Sequence, residues 1–146
     1  MKKLTLLLFV AILLTACQPA ATSQPVNPPA PMLTSAPVET LVSSVNDLVG
    51  IWWFTRAGVM VEIKADSTYR VFSGSETQDE GTYAFEAGKV TWVTGHPTCG
   101  DKPATYKAYV TKQDDKPVWL RLQIVGSDPC GARADVTANK AKFQNP

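Results

Sequence analysis

The chain of 146 residues is poor in the groups that carry out most enzyme chemistry. It has a single histidine, His96, and it contains neither a Gly-x-Ser-x-Gly nucleophile elbow nor a glycine-rich phosphate-binding loop. Its paired acids, Asp79-Glu80 and Asp114-Asp115, are adjacent in sequence, whereas a glycosidase needs two carboxylates flanking one bond. We therefore expect no catalytic residues, no cofactor and no metal site.

Charge of one sign is also lacking in the part of the chain that looks globular. All but Lys2 and Lys3 of the 14 basic residues, and all but Glu39 of the 13 acidic residues, lie after residue 45. This formal neutrality argues against nucleic acid, whose binding proteins carry a basic excess, and against electrostatic adhesion to an anionic membrane. We also expect a monomer.

Composition divides the chain into three blocks. Residues 1–17 are two lysines, an apolar run and a cysteine; residues 18–45 hold more than half of the 11 prolines and no aromatic residue. Residues 46–146 hold all four Trp and all four Tyr. The sequence therefore predicts a signal segment, a disordered Pro-rich tether with a short helical turn over 38–45, and one folded domain.

The first block has the layout of a secretory signal. Its apolar run over 4–14 is shorter than the roughly 20 residues of a membrane-spanning helix. The run ends in Leu14-Thr15-Ala16-Cys17, which resembles the lipobox of bacterial lipoproteins. The resemblance implies cleavage before Cys17, lipidation of its sulfur by long acyl chains such as palmitate, and anchoring in the cell envelope. In a Gram-negative cell an Asp directly after the lipidated cysteine favours retention in the inner membrane. Residue 18 is Gln, so the resemblance allows the outer membrane as the destination.

The third block shows apolar residues at period two, and turn residues recur every 8–12 positions. This pattern is typical of antiparallel β-structure with one buried face, and it predicts a small eight-stranded antiparallel up-and-down barrel. The predicted strands cover residues 49–55, 58–65, 68–73, 81–86, 89–94, 105–113, 117–125 and 134–143.

The links between these strands differ in length according to the barrel end they occupy. Tight links at 66–67, 87–88 and 114–116 predict one end closed by hairpins. Long links at 74–80, 95–104 and 126–133 predict adaptable loops at the other end, which is the end we expect to carry the function.

Gly50-Ile51-Trp52, at the start of the first strand, resembles the Gly-x-Trp opening of the calycins, the superfamily of lipocalins and avidins. The ordered set that follows, Asp66–Tyr69, Glu80–Tyr83, Cys99 and Asp128-Pro129-Cys130 with Arg133, is similar to lipocalin-like bacterial lipoproteins. The resemblance implies a calycin-like barrel that binds a small apolar ligand. It also implies a basic side chain over Trp52, for which Lys140 or Lys142 is best placed.

Two cysteines remain once Cys17 is assigned to lipid. Cys99 and Cys130 both fall in links predicted at the same barrel end, and disulfides persist in exported proteins. We expect a disulfide between them rather than two free thiols.

The leading hypothesis is a membrane-anchored binding module with its ligand at the loop end of the barrel. Tyr83, Trp92 and Tyr106 would supply apolar contacts there. His96, Asp101, Arg133 and Asp135 would supply polar contacts. The alternatives are a protein-interaction module, such as a periplasmic protease inhibitor, or a structural envelope protein with a filled barrel.

Trp52 and Trp53 are adjacent in the first predicted strand. Because side chains alternate along a strand, we expect one of them in the core and the other on the outer face.

Overall fold

The computed structural model describes residues 36–95, 97 and 99–144. The predicted signal segment with Cys17, the tether up to residue 35, and His96 lie outside these residues. Within the described chain a 3₁₀ turn covers Val45–Asp47. The other elements, in chain order, are β1 (Val38–Leu41), β2 (Gly50–Phe54), β3 (Val59–Ile63), β4 (Thr68–Ser73), β5 (Glu76–Glu86), β6 (Lys89–Thr94), β7 (Ala104–Gln113), β8 (Lys116–Val125), α1 (Gly131–Thr137) and β9 (Ala141–Gln144).

Strands β2 to β9 form a closed antiparallel barrel. Each strand pairs with the next, and β9 completes the circle by pairing with both β8 and β2. The predicted eight-stranded up-and-down barrel is confirmed. Closure gives the backbone of each of these strands a partner on both sides, which removes the exposed sheet edges that favour aggregation.

The inner faces follow the alternation of the sequence. Val61, Ile63, Tyr69, Val90 and Leu120 point inward and are buried, while their neighbours along each strand are more exposed. Burial of such side chains contributes about 1.5–3 kcal/mol each and is the main drive for closing the sheet. In the predicted inward row of β8, Leu120 and Leu122 are buried, Val118 is half-buried and Ile124 is 39% exposed.

The sheet begins before the predicted boundary at residue 45. Strand β1 pairs with the second half of β7, from Leu41 opposite Tyr109 to Val38 opposite Lys112. The physical reason is the unequal length of β6 and β7. Because β6 pairs only with the first part of β7, the backbone groups of the second part need another partner, and β1 supplies it. The predicted helical turn over 38–45 is therefore wrong for 38–41.

The predicted long link over 74–80 is also wrong. Strands β4 and β5 continue toward each other, and a tight turn at Gly74-Ser75 joins them. Gly74 has a φ of +60°, a value that favours glycine. The polar run at the start of β5 looked like a loop because its residues are mostly exposed. This first part of β5, which we call the β5 arm, pairs with the end of β4 and is mostly exposed, so it needs no continuous apolar face.

The predicted last strand over 134–143 divides into a helix and a strand. Helix α1 takes Gly131–Thr137 and only Ala141–Gln144 pairs as β9. Alanine and arginine favour helix, and seven residues are too few for helical periodicity to appear in the sequence. Helix α1 therefore lies across the end of the barrel that was expected to carry open loops.

The Gly-x-Trp segment packs at the start of the barrel. Trp52 is fully buried, and its Nε1 donates a hydrogen bond to the carbonyl of Leu48 at 2.7 Å. The ring of Phe143 meets Trp52 edge to face, with ring centres 4.9 Å apart, so an aromatic residue takes the place expected for Lys140 or Lys142. Gly50 has a φ of +137°, and a Cβ there would lie 2.6 Å from the ring of Phe143.

Candidate functional site: a cavity beneath helix α1

An apolar cavity of about 170 Å³, partly open to solvent, lies in the barrel at the end where α1 packs. We call it the capped cavity. Strands β2 to β4 contribute most of its apolar wall, and α1 contributes its cover. Its lining residues are Phe54, Val59, Val61, Ile63, Tyr69, Val71, Gln78, Asp79, Trp92, Cys99, Leu122, Ala132, Arg133, Val136 and Thr137.

Arg133 fastens α1 to the barrel. Its Nε and Nη2 donate to the two carboxylate oxygens of Asp128 at 2.8 and 2.7 Å, a bidentate arrangement. The same guanidinium donates to the carbonyls of Trp92 at 3.3 Å and Lys102 at 3.0 Å. The side chains of Arg133 and Asp128 are only 9% and 3% exposed. The buried guanidinium of Arg133 thus connects α1 to β6 and to the segment between β6 and β7.

Asp128 is the centre of this polar cluster. Besides Arg133, the hydroxyl of Tyr106 donates to its Oδ2, and the backbone N–H of Cys130 donates to its Oδ1 at 2.8 Å. Burial by itself raises the pKa of Asp128, but the hydrogen bonds from Arg133, Tyr106 and Cys130 outweigh it, so the pKa is lowered. Burial, reinforced by the neighbouring carboxylate, raises the pKa of Tyr106 to about 12. The cluster is therefore a carboxylate held by a cation and a neutral phenol.

A second carboxylate, Asp79, lies in the wall of the capped cavity. Its Oδ2 accepts hydrogen bonds from the hydroxyls of Tyr69 at 3.3 Å and Thr94 at 2.5 Å, and its Oδ1 accepts from the N–H of Glu80 at 2.8 Å. Burial raises the pKa of Tyr69 to about 12, so the phenol stays protonated at neutral pH and serves as a donor.

Trp92 lies at the junction of these groups and lines the capped cavity. Tyr69 packs edge to face on its ring at 4.9 Å, and Tyr83 packs at 5.5 Å in a tilted arrangement. Trp92 is 5% exposed, and its Nε1 is buried without a hydrogen-bond partner in the described part of the chain. A buried donor without a partner costs about 1–3 kcal/mol.

The sequence-predicted site residues separate into two groups. Trp92 and Arg133 line the capped cavity, although Arg133 is already fully engaged with Asp128. Tyr83 lies in the core, but its hydroxyl donates at 2.5 Å to the carbonyl of Lys64, at the hairpin end of the barrel. Tyr106 contacts Asp128 and borders an open groove of about 480 Å³ between β8 and α1.

Two further predicted polar contacts, Asp101 and Asp135, are exposed and are not among the residues that line the capped cavity. His96 lies outside the described residues. The predicted cluster of ligand contacts at the mouth of the barrel is therefore brought together only in part.

Sequence reasoning missed the cover of the cavity and its acidic wall. Ala132 and Val136 belong to α1, whereas the sequence predicts a link over 126–133 and a strand from 134, and Asp79 falls in the predicted link over 74–80. The signal that was available is the Ala-Arg-Ala sequence at 132–134, which is a poor strand and a good helix start.

The disulfide between Cys99 and Cys130 is confirmed, with Cα atoms 4.9 Å apart. Both cysteines are buried, and Cys99 lines the capped cavity. Because Cys130 is the residue that precedes the first turn of α1, the bond ties the start of the helix to the link between β6 and β7.

Within the described residues no group of three or more His, Cys, Asp or Glu side chains is placed to hold a metal ion. No helix in that part of the chain has the length and apolar character to cross a membrane. Comparison of the chain with models of known protein families, with curated proteins and with solved structures found no match.

Proposed function

We propose that the protein is an extracytoplasmic lipoprotein, anchored to the cell envelope through Cys17, whose calycin-like barrel binds a small apolar molecule in the capped cavity. The observation that carries the proposal is the cavity itself. It is lined mainly by apolar side chains, it has a helical cover, and that cover is held by a buried ion pair and a disulfide.

The volume sets the size of the ligand. A cavity of about 170 Å³ is close to the roughly 150 Å³ of an engineered apolar cavity that binds benzene in another protein. It is below the range of about 300–1,000 Å³ that is typical for drug-sized ligands. We therefore propose a molecule with one ring or a short aliphatic chain rather than a long acyl chain.

A cavity-filling variant tests the binding proposal. Val136→Phe adds a ring to the cover of the cavity, and we expect it to weaken binding of ethylbenzene about tenfold or more, because the probe and the ring compete for one space. The measurement is isothermal titration of ethylbenzene into the purified protein. Circular dichroism checks that the variant is folded.

The matched control is Val125→Phe, which makes the same change at a valine that is 41% exposed and does not line the cavity. It should bind ethylbenzene as the wild type does. The proposal fails if the wild type does not bind the probe, or if Val136→Phe binds it equally well.

The anchor is tested separately through Cys17. We expect the wild type to fractionate with membranes and to carry the added mass of acyl chains, and we expect Cys17→Ala to lack both properties. Mass spectrometry of the purified protein measures the modification. An unmodified Cys17 in a membrane-associated protein would contradict the anchor and leave the binding proposal untouched.

A second candidate function is contact with a protein partner. It is favoured by a row of large apolar side chains on the outer face of the barrel. Trp53 is 42% exposed and lies opposite Met60 on the next strand, which lies opposite Phe72 on the strand after it. Photo-crosslinking in cells from position 53, with the exposed Lys107 on another wall as the control position, tests this candidate. A defined adduct from position 53 alone would support it.

A further inference from the structure

We propose that the capped cavity takes a small amine in its protonated form, with the ammonium group bound by the carboxylate of Asp79 and an apolar body inside the cavity. This inference rests on the proposed function. It adds the charge of the ligand and the residue that selects it.

The charge of the cavity lining is unbalanced. Arg133 is the only basic residue and Asp79 the only acidic residue among the described residues that line the cavity. The guanidinium of Arg133 is already paired with Asp128 through two hydrogen bonds of 2.8 and 2.7 Å. The ion pairs of the described chain do not include Asp79. Asp79 therefore leaves the lining with one negative charge that no cation of the described chain balances.

The carboxylate of Asp79 is turned toward the interior of the barrel. Asp79 lies opposite Val71 in the pairing of β4 with β5, and directly opposite residues of antiparallel strands share a face of the sheet. Val71 also lines the cavity. The Oδ2 of Asp79 accepts from the hydroxyls of Tyr69 and Thr94, which are both buried on the inner face.

Asp79 is also accessible and has room for one more donor. The residue is half-buried, and the cavity that it lines is partly open to solvent. An ionised carboxylate offers about four acceptor positions. The two hydroxyls take those of Oδ2, and the N–H of Glu80 takes one of Oδ1. The remaining position of Oδ1 is not used by any described residue.

These properties together select an ammonium group. An anionic ligand would face the carboxylate of Asp79 and would find Arg133 already paired, and a neutral ligand would leave the charge of Asp79 unbalanced. A guanidinium ion donates through two parallel N–H groups, but only one acceptor position remains. A primary ammonium is a compact charge that donates one hydrogen bond to that position. An apolar body of one ring or a short chain then matches the rest of the lining.

Two ligands of the same shape provide the test. Benzylamine and ethylbenzene have the same number of non-hydrogen atoms, and the ammonium group of the first replaces the methyl group of the second. Both are titrated near pH 7 into the purified wild type and Asp79→Asn, which removes the charge and keeps the shape of the side chain. We expect the ratio of the two dissociation constants to move about tenfold or more against benzylamine in the variant, because a charge-assisted hydrogen bond is lost.

The matched control is Glu80→Gln. It removes the same charge from the next residue, which is exposed and lies opposite Arg70 on the outer face of the sheet. It should leave the ratio at the wild-type value. An equal loss in both variants would mean that Asp79 acts only by long-range attraction, and it would contradict direct binding.

A spectroscopic readout on the wild type decides the case in which Asp79→Asn fails to fold. The ¹³C signal of the Asp79 carboxylate should shift far more when benzylamine binds than when ethylbenzene binds. The carboxylate of Asp47, which pairs with Lys112 at 2.7 Å and does not line the cavity, is the internal control. Its signal should stay in place with both ligands.

The outcomes separate the two proposals. If neither ligand binds the wild type, the proposed binding function fails and this inference fails with it. If ethylbenzene binds but benzylamine does not, the inference alone is overturned. It is also overturned alone if both bind but Asp79→Asn leaves their ratio unchanged, or if the Asp79 signal responds alike to both. Binding of benzylamine that depends on Asp79 and not on Glu80 supports it.

Discussion

At the residue scale, the hydrogen bonds of Arg133 explain how a seven-residue helix stays in place. Helix α1 is too short to be stable by itself, because isolated helices below about 12–15 residues are marginal in water. Arg133 holds it through Asp128 and through two backbone carbonyls of the β6 region. The sequence suggested Arg133 as a ligand contact, but this guanidinium is used to hold the cover.

Asp128→Asn tests this role. The substitution leaves the Arg133 guanidinium buried without a full counter-charge, and we expect the free energy of unfolding to fall by about 3–5 kcal/mol. Urea denaturation measures the change. The control is Glu62→Gln, which removes the partner of Arg70 in a pair whose side chains are 28% and 40% exposed, and which should cost at most about 1 kcal/mol. Equal costs for both variants would contradict a special role for Asp128.

At the scale of elements, the strands that alternation specifies most clearly could be predicted from the sequence. β3, with Val59, Val61 and Ile63 on one face, lies close to its expected position because one buried face fixes its register. The elements that were missed are those whose form depends on distant neighbours. β1 forms because β7 is longer than β6 and its second part needs another pairing partner. The first part of β5 has no buried face, so its sequence lacks the alternation that predicts a strand.

Strand β1 is also fastened by charge. Glu39 pairs with Arg121 at 2.8 Å and with Lys140 at 3.1 Å, which connects the strand to β8 and to the residue before β9. Arg121 in turn lies over the ring of Tyr109 at 4.1 Å. The hydrogen bond from Arg121, helped by Lys140, outweighs burial and lowers the pKa of Glu39 from 4.5 to about 2.

This shift gives stability a specific pH dependence. Because the folded-state pKa of Glu39 lies below the unfolded value, its contribution is complete above about pH 4.5 and is lost as the pH falls toward 2. We expect wild type to be more stable than Glu39→Gln at neutral pH, and the two to converge near pH 2. Urea denaturation at a series of pH values measures this, with Glu76→Gln on the exposed arm as the control. A gap that persists at pH 2 would contradict the prediction.

At the scale of the whole molecule, small side chains on β3 and β4 leave the volume of the cavity in so small a barrel. The interior of an eight-stranded barrel is just wide enough to be filled by side chains, so a cavity requires small ones. Tyr83 and Trp52 bond to backbone carbonyls at the hairpin end and fill that half. Opposite them, β3 and β4 contribute Val59, Val61 and Val71, which are smaller and leave the volume beneath α1.

The disulfide makes this end of the molecule depend on the oxidation state of its cysteines. The bond closes a loop with a sequence separation of 31, and the chain-entropy estimate gives it about 3–4 kcal/mol. We expect the free energy of unfolding of the double variant Cys99→Ala, Cys130→Ala, measured by urea denaturation, to be lower by that amount. We also expect it to bind ethylbenzene more weakly, because α1 then lacks its link to the β6–β7 segment.

Cys17→Ala is the matched control for that double variant, since it removes the cysteine that takes no part in the disulfide. It should leave both the unfolding curve and probe binding at the wild-type values. Treatment of the wild type with a reductant should reproduce the double variant, because the same bond is broken without a change of sequence. If reduction lowers stability but leaves probe binding unchanged, Arg133 and Asp128 hold the helix unaided, and the disulfide then acts on the unfolded chain rather than on the cavity.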